Sequence, residues 1–181
     1  FRPEHEKMLW NLPMAGAAFK KVYFDPHTKL PVSRFIPAED VILPYGVTNA
    51  ASSHRVTLEE RKTPAEIKRL QYAGFYRDVE IGDAVRSLDD VRNAKDEETG
   101  FSDINDDRLV LREIMVDHDL KHFEDSDDAG PTGVALPYVI TIIKGTSVVL
   151  SIRRNWKEGD ATRKRRQHLI QYDYIPGFGP Y

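Results

Sequence analysis

The clearest hydrophobic pattern lies near the C-terminal end of the sequence, in two runs that are rich in β-branched residues. Leu136–Lys144 and Ser147–Asn155 both have this composition, which is typical of strands. The short break between them contains Gly145 and is typical of a hairpin turn. A third alternating run, Gln167–Ile175, follows. These three runs predict a three-stranded antiparallel meander.

The N-terminal part combines one helical pattern with several strand patterns. Apolar residues at helical spacing predict a helix over Glu4–Phe19 that gives way to a strand at Lys20. Lys21–Asp25 and Leu30–Ile36 predict a hairpin. Shorter strands are predicted over Val41–Leu43, Ser53–Arg61 and Arg108–Leu120. We expect the aromatic residues of this part to be buried, namely Trp10, Phe19, Tyr23 and Phe24.

A short helix after these strands has the strongest local signal in the chain. Thr63 is a capping residue, Pro64 suits the first helical position, and Glu66 is placed to accept a hydrogen bond from the cap amide. Gly74 is typical of a left-handed helix end. The pattern therefore predicts a helix over Pro64–Ala73.

Two acidic stretches, Gly82–Arg108 and Glu124–Gly133, contain few large apolar residues and predict flexible excursions from the fold. The remaining patterns predict a single domain over residues 1–181. Its predicted fold class is α+β and strand-dominated, with antiparallel hairpins or a meander. An N-terminal helix and one short capped helix complete the predicted fold.

Composition narrows the class of protein. A length of 181 residues is enough for one ordinary domain with its own core. The net charge of −3 does not indicate nucleic-acid binding by the chain as a whole, so any such contact needs a local patch. The lack of cysteine excludes disulfides and thiolate metal sites and fits assembly in a reducing cytoplasm. No apolar run approaches the length that spans a bilayer, so no membrane partner is expected.

An acidic cluster around Asp117 and Asp119 is one candidate site. More Asp, Glu and His residues follow at 122–128, and such oxygen and imidazole groups bind divalent metals. On a strand, however, Asp117 and Asp119 share one face while His118 lies on the other. The spacing also matches no calcium-loop or zinc-helix motif. We therefore favour a solvated acidic strand edge, with a metal-dependent nuclease as the alternative.

A strongly basic loop between the second and third predicted C-terminal strands is the other candidate site. Its cations suit DNA phosphates, with Trp156 or Tyr172 stacking on a base. A solvated hairpin end, or a subunit interface that pairs with the acidic loops of a neighbour, explains the same residues. We favour these two interpretations over direct DNA contact. The candidate residues are Arg153, Arg154, Lys157, Arg163, Lys164, Arg165 and Arg166.

Three separated groups of sequence phrases occur in the order expected for one protein family. The N-terminal phrases are Met8–Asp25 and Val32–Asp40, and the middle phrase is Ala73–Val79. The C-terminal phrases are Ser151–Glu158, Arg163–His168 and Tyr172–Gly179. In these phrases the chain resembles the portal (head-to-tail connector) proteins of tailed bacteriophages and prophages, in the P22-like portal group.

The resemblance implies a structural virion protein with no enzyme activity and no cofactor. Portal subunits form a dodecameric ring at one capsid vertex, through which double-stranded DNA is packaged and ejected. The ring assembles in the bacterial host cytoplasm, and its other partners are terminase, capsid and scaffolding proteins, and tail adaptor proteins. The ATPase of packaging belongs to terminase, which agrees with the lack of a phosphate-binding loop motif in this sequence.

The sequence begins without an initiator methionine and ends after a turn-rich segment, so we expect a fragment of a longer subunit. The resemblance implies its wing region. Without the rest of the ring interface, the fragment is expected to be a monomer or a weak oligomer that binds duplex DNA weakly and in a salt-sensitive manner. Two alternatives stay open: another virion or tail structural protein, and the nuclease centred on Asp117 and Asp119.

Overall fold

The computed structural model describes residues 2–25, 29–81, 98, 108–122, 124–127 and 130–175. In this part of the chain, helix α1 spans Arg2–Ala15 and helix α2 spans Pro64–Tyr72. The strands are β1 (Ala17–Asp25), β2 (Leu30–Pro37), β3 (Val41–Ile42), β4 (Arg55–Lys62), β5 (Leu109–His118), β6 (Ser126–Asp127), β7 (Gly130–Pro131), β8 (Leu136–Ile143), β9 (Val149–Arg154) and β10 (Leu169–Asp173). This strand-rich α+β arrangement confirms the predicted fold class. Neither α1 nor α2 is long and apolar enough to cross a membrane.

Strands β10, β1 and β2 form a three-stranded antiparallel sheet in that order. The pairing of β1 with β2 confirms the predicted hairpin. On its other side β1 pairs with β10, so that Ala18 lies opposite Tyr172. The predicted C-terminal meander is therefore wrong in its third strand, because β10 pairs with β1 and not with β9. The pairing allows Leu169 of β10 to join Phe19 of β1 in one buried core.

Strands β3, β4, β5, β8 and β9 form a five-stranded antiparallel sheet in chain order, which makes this sheet a meander. It contains the predicted β8–β9 hairpin, whose turn includes Gly145 at a φ of +80°. The two-stranded pair β6–β7 lies inside the predicted acidic stretch Glu124–Gly133. The other predicted acidic stretch, Gly82–Arg108, lies almost entirely outside the described residues.

Helix α1 ends earlier than the sequence pattern predicts. Gly16 directly follows the helix, has a φ of +74°, and donates its N–H to the Leu12 carbonyl oxygen at 2.9 Å. Glycine adopts this left-handed conformation without steric cost, so the chain passes directly into β1. Phe19, predicted in the helix, is fully buried in β1 instead. Trp10, Tyr23 and Phe24, which were expected in the core, are exposed.

Two polar contacts attach α1 to the three-stranded sheet. The Glu4 carboxylate accepts hydrogen bonds from the Lys7 ammonium (2.6 Å) and from the Phe35 N–H (2.9 Å). These bonds lower the pKa of Glu4 below its ordinary value. The second contact joins Lys20 Nζ and His5 Nδ1 at 2.7 Å. The helix is therefore held to β1 and β2 by side chains from its first two turns.

Helix α2 begins and ends as the sequence predicts. The Glu66 N–H donates to Thr63 Oγ1 at 3.2 Å, and the Thr63 N–H donates to the Glu66 carboxylate at 2.8 Å. Pro64 is the first helical residue. Gly74 follows the C-terminal cap with a φ of +72°. This reciprocal capping box confirms the local signal in the sequence.

The chain divides into two compact units, each with its own core. Unit 1 comprises Phe1–Leu58, Ile114–Val139 and Arg154–Tyr181, and unit 2 comprises Glu59–Glu113 and Ile140–Arg153. The core of unit 1 contains Phe19, Ile36, Ala50, Val56, Leu58, Met115, Val139 and Leu169. The core of unit 2 contains Ile67, Tyr76, Leu109, Leu111, Ile143 and Leu150. The single domain predicted over residues 1–181 stays a prediction.

Candidate functional site in the basic loop

The basic loop, residues 155–168 between β9 and β10, is closed by Asn155. Asn155 is only 1% exposed. Its Nδ2 donates to the Arg166 carbonyl oxygen at 3.2 Å, and its Oδ1 lies 2.9 Å from His168 Nε2. The Arg166 N–H donates in turn to the Asn155 carbonyl oxygen at 2.8 Å. These bonds join the start of the loop to its end and fix the backbone on both sides of Arg166.

Asp160 holds the middle of the same loop. Its carboxylate accepts hydrogen bonds from the hydroxyl (2.7 Å) and the N–H (3.0 Å) of Thr162. These bonds lower the pKa of Asp160 below its ordinary value. The Asp160 carbonyl oxygen accepts the N–H of Arg163 at 3.1 Å, and Arg163 itself has a φ of +48°. The loop backbone is therefore shaped by its own turn contacts as well as by Asn155.

Arg163 pairs with an acidic residue of the same unit. Its guanidinium forms an ion pair with the Asp125 carboxylate, which also accepts a hydrogen bond from the Thr132 hydroxyl at 3.0 Å. Asp125 belongs to the acidic stretch Glu124–Gly133. One predicted partner of the basic loop is the acidic loop of a neighbouring subunit, but the observed partner of Arg163 lies within the chain.

Arg165 is also turned towards the body of unit 1. Its Nη2 donates to the Ala51 carbonyl oxygen at 3.0 Å, and its Nη1 lies 3.7 Å from Asp117 Oδ2. The N–H of Asp117 donates to the His54 carbonyl oxygen at 3.1 Å. The structure thus brings together one residue from each of the two candidate sites that the sequence analysis treated separately.

The other predicted cations differ in their surroundings. Arg153 belongs to unit 2, where its guanidinium lies 4.1 Å from the centre of the Phe75 ring. Such a cation–π contact stabilises the fold and takes up one face of the guanidinium. The exposed cations of the loop are Arg154, Lys157, Lys164 and Arg166. Of the seven predicted residues, Arg153, Arg163 and Arg165 have partners within the chain, and the other four are exposed.

The two aromatic residues proposed to stack on a base have partners within unit 1. The edge of Trp156 packs on Tyr138 with 5.7 Å between ring centres, and the Arg154 guanidinium lies 5.6 Å from the Trp156 ring. Burial raises the pKa of Tyr138 above its ordinary value. Lys20 Nζ lies 5.9 Å from the centre of the Tyr172 ring. Base stacking on Trp156 or Tyr172 therefore competes with existing contacts.

The acidic residues do not converge on a common point in the described part of the chain. Among those residues, no three His, Asp or Glu side chains are arranged to hold a metal ion. Strand β5 ends at His118, so Asp119 lies just beyond the strand and is exposed, whereas Asp117 is half-buried beside Arg165. Asp117 is thus surrounded by groups suited to an ion pair, and the metal-site interpretation stays a prediction.

A cleft of about 310 Å³ lies between the end of the basic loop and the segments around Ala50 and Asp117. Its lining combines apolar residues with three consecutive cations and one carboxylate. The residues that line it are Ala50, Ala51, Val56, Met115, Asp117, Lys164, Arg165, Arg166, Gln167, His168 and Leu169. We refer to this feature as the loop cleft. Sequence reasoning missed it, since its walls come from three distant parts of the chain.

Comparison of the sequence with known protein families and with curated proteins found no match.

Proposed function

We propose that this chain is a structural module of the portal ring of a tailed bacteriophage, belonging to the wing region of the subunit. The support comes from the sequence phrases that resemble portal proteins and from where these phrases lie in the fold. In this proposal the protein works by assembly and is not an enzyme.

The observation that carries the proposal is that distant phrases pack against one another. In unit 1, Met8–Asp25 contains all of β1, which pairs with β2 on one side and with β10 on the other. Strand β2 lies largely within Val32–Asp40, and β10 ends in the phrase that begins at Tyr172. Residues in contact constrain one another's size and polarity, so phrases that form one sheet are expected to recur together in a family.

The middle phrase, Ala73–Val79, also packs against another phrase, here within unit 2. The Arg77 N–H donates to the Leu150 carbonyl oxygen of β9 at 2.8 Å. Phe75 lies under the Arg153 guanidinium, and Arg153 belongs to the phrase Ser151–Glu158. Ala73–Val79 therefore packs against β9, whose last residues belong to a C-terminal phrase.

Contact with duplex DNA is proposed for the exposed cations only. Arg154, Lys157, Lys164 and Arg166 are exposed on the basic loop or at its start. Point charges of this kind bind phosphates without sequence preference, and the binding weakens as salt rises. Each of these residues is expected to contribute one phosphate contact at most, which makes the affinity of the isolated chain low.

The proposed partners and location are those of a portal subunit. The full subunit would form a dodecameric ring around double-stranded DNA, and would contact terminase, capsid and scaffolding proteins, and tail adaptor proteins. The ring would assemble in the bacterial cytoplasm and remain in the virion. The chain of 181 residues, as a peripheral piece of that ring, is expected to be a monomer or a weak oligomer.

Light scattering tests the proposal through mass. The measurement compares the longer protein that we propose as the parent with the chain studied here. The proposal predicts a ring-sized assembly for the parent and a small species for the chain. A parent that stays monomeric at the same concentration would contradict it.

A further inference from the structure

Arg165 and Asp117 both line the loop cleft, and their side chains are 21% and 36% exposed. One atom of each, Nη1 of Arg165 and Oδ1 of Asp117, is buried and has no hydrogen-bond partner among the described residues. An arginine nitrogen only donates, and an ionised carboxylate oxygen only accepts. The exposed part of this pair is therefore complementary to a ligand that offers one acceptor next to one donor.

The Arg165 side chain and the Asp117 backbone each have a separate hydrogen bond within unit 1. Arg165 Nη2 donates to the Ala51 carbonyl oxygen at 3.0 Å, and the Asp117 N–H donates to the His54 carbonyl oxygen at 3.1 Å. The distance of 3.7 Å between Arg165 Nη1 and Asp117 Oδ2 exceeds hydrogen-bond range. The donor and the acceptor therefore lie close together but are not hydrogen-bonded to each other.

The edge of a nucleobase has the required pattern. Adenine, for example, presents the N6 amino donor beside the N7 acceptor. The donor matches the Asp117 carboxylate, and the acceptor matches the Arg165 guanidinium. The lining of the cleft also includes Val56, Met115 and Leu169, whose apolar side chains suit contact with a base.

Charge and size favour a nucleotide over other ligands with such an edge. Lys164, Arg165 and Arg166 outnumber the one carboxylate of the cleft, so the ligand is expected to be an anion. Lys164 and Arg166 are exposed and available for a phosphate group. A volume of about 310 Å³ is at the lower end for small-molecule sites, which suits one nucleotide and excludes a duplex.

We propose that the loop cleft is a nucleotide-binding site, in which Arg165 and Asp117 contact the base edge and Lys164 and Arg166 contact the phosphate. The ligand chemistry is that of a free nucleoside monophosphate or of one nucleotide in a single strand. This proposal does not depend on the portal assignment, since it rests on the geometry of unit 1 alone.

The test is an NMR titration of the full chain, labelled with ¹⁵N, with adenosine monophosphate. Ribose 5-phosphate and inorganic phosphate are the matched ligands without a base. The proposal predicts that the largest shifts occur at the amides of Ala50, Ala51, Arg165 and Arg166. It also predicts that adenosine monophosphate binds at least about tenfold more tightly than ribose 5-phosphate, because only the former has a base edge that can contact both Arg165 and Asp117.

Variants separate the two halves of the site. Arg165→Gln and Asp117→Asn are each expected to lower the affinity for adenosine monophosphate about tenfold or more, and Lys164→Gln less than that. Lys121→Gln removes one positive charge at an exposed residue outside the cleft lining and is expected to change the affinity less than twofold. The ¹⁵N spectrum of each variant checks that it is folded, and the wild-type shift map provides a test that needs no variant.

Further ligands distinguish the two sources of the nucleotide. If a short single strand shifts the same amides and binds more tightly than the monophosphate, the natural ligand is a nucleotide within a single strand. If the monophosphate binds more tightly, the natural ligand is a free nucleotide. Equal binding of adenosine monophosphate and ribose 5-phosphate would overturn the proposal, because the cleft would then be a simple anion patch. Shifts that avoid the cleft, or binding of duplex with the same map and affinity, would overturn it as well.

Discussion

Two clusters of arginine and carboxylate in this chain differ in how completely their atoms are satisfied. In unit 2, Glu59 Oε1 accepts from Arg112 Nε at 2.9 Å, and Oε2 accepts from Lys144 Nζ at 3.2 Å. In unit 1, Arg165 Nη1 and Asp117 Oδ2 are 3.7 Å apart, and each side chain has one buried atom without a hydrogen-bond partner among the described residues. The same residue types therefore form a closed cluster in one unit and an open pair in the other.

The difference indicates different roles. Burial raises the pKa of Glu59, but the hydrogen bonds from Arg112 and Lys144 outweigh it, so the pKa lies below its ordinary value. A carboxylate whose two oxygens both accept hydrogen bonds has little acceptor capacity free for a ligand, and it mainly stabilises the fold. A partly exposed pair that lines a cleft and is not hydrogen-bonded to itself is suited to binding instead, because a ligand can contact its exposed atoms.

The largest expected effect comes from removing the residue that closes the basic loop. Asn155→Ala deletes the side-chain bonds to Arg166 and His168 in a buried position. We expect a loss of about 2–3 kcal/mol in the free energy of unfolding, measured by urea denaturation. Gln167→Ala, at an exposed residue of the same loop, is the control and should cost less than about 0.5 kcal/mol. Equal effects of the two substitutions would show that Asn155 does not hold the loop.

The next prediction compares the two carboxylates directly. Glu59→Gln leaves Arg112 and Lys144 without their charged partner and is expected to cost about 1–2 kcal/mol of stability. Asp117→Asn is expected to cost less than about 0.5 kcal/mol, since its contact with Arg165 is long. The measurement is urea denaturation of both variants at neutral pH. A larger loss for Asp117→Asn would remove the distinction between a closed and an open cluster.

Acid should weaken the closed cluster. The pKa of Glu59 is lower in the folded state, so its stabilisation is complete above the unfolded-state pKa of about 4.3 and is lost as pH falls through the folded-state pKa. We expect a contribution of about 1 kcal/mol or less, because the cluster is partly solvated. The test is the free energy of unfolding between pH 3 and 7. The difference between wild type and Glu59→Gln should shrink in acid, and a constant difference would contradict the ion-pair explanation.

The smallest expected effect concerns Arg153, a candidate for DNA contact in the sequence analysis. Arg153→Gln removes the contact with Phe75 and should cost about 0.5–1 kcal/mol of stability, with little change in duplex affinity. Lys157→Gln, with the same change in charge at an exposed residue, should leave stability unchanged and lower duplex affinity at low salt. Denaturation and fluorescence anisotropy measure the two quantities. The reverse pattern would assign Arg153 to the DNA-binding surface.

Local signals predicted much of the fold. The capping box of Thr63 and Glu66 involves residues three apart, and the hairpin of β1 and β2 joins strands that are close in sequence. Such elements depend on short-range contacts, which a single sequence reveals. The end of α1 was missed because apolar residues continue through Phe19, although Gly16 breaks the helix.

Long-range pairing could not be predicted in the same way. Nothing in the alternation of Gln167–Ile175 indicates whether this strand pairs with β9 or with β1. The loop cleft could not be predicted for the same reason, since Arg165 and Asp117 are far apart in sequence and belong to different charged segments. Asn155 was missed because a single polar residue after a strand has no periodic signal. Its place between Arg154 and Trp156, where a strand meets a loop, is the one hint that the sequence contains.

The contrast between the open pair and the closed cluster is tested most directly by ligand-dependent thermal stability. The measurement is the unfolding midpoint of wild type, Asp117→Asn and Glu59→Gln with and without saturating adenosine monophosphate. A ligand that binds only the folded state raises the midpoint, by about 5 °C or more at a hundredfold excess over Kd. We predict this rise for wild type and Glu59→Gln, and its reduction to about half or less in Asp117→Asn, whose affinity is expected to be about tenfold lower. An equal rise in all three proteins, or no rise in wild type, would contradict the account.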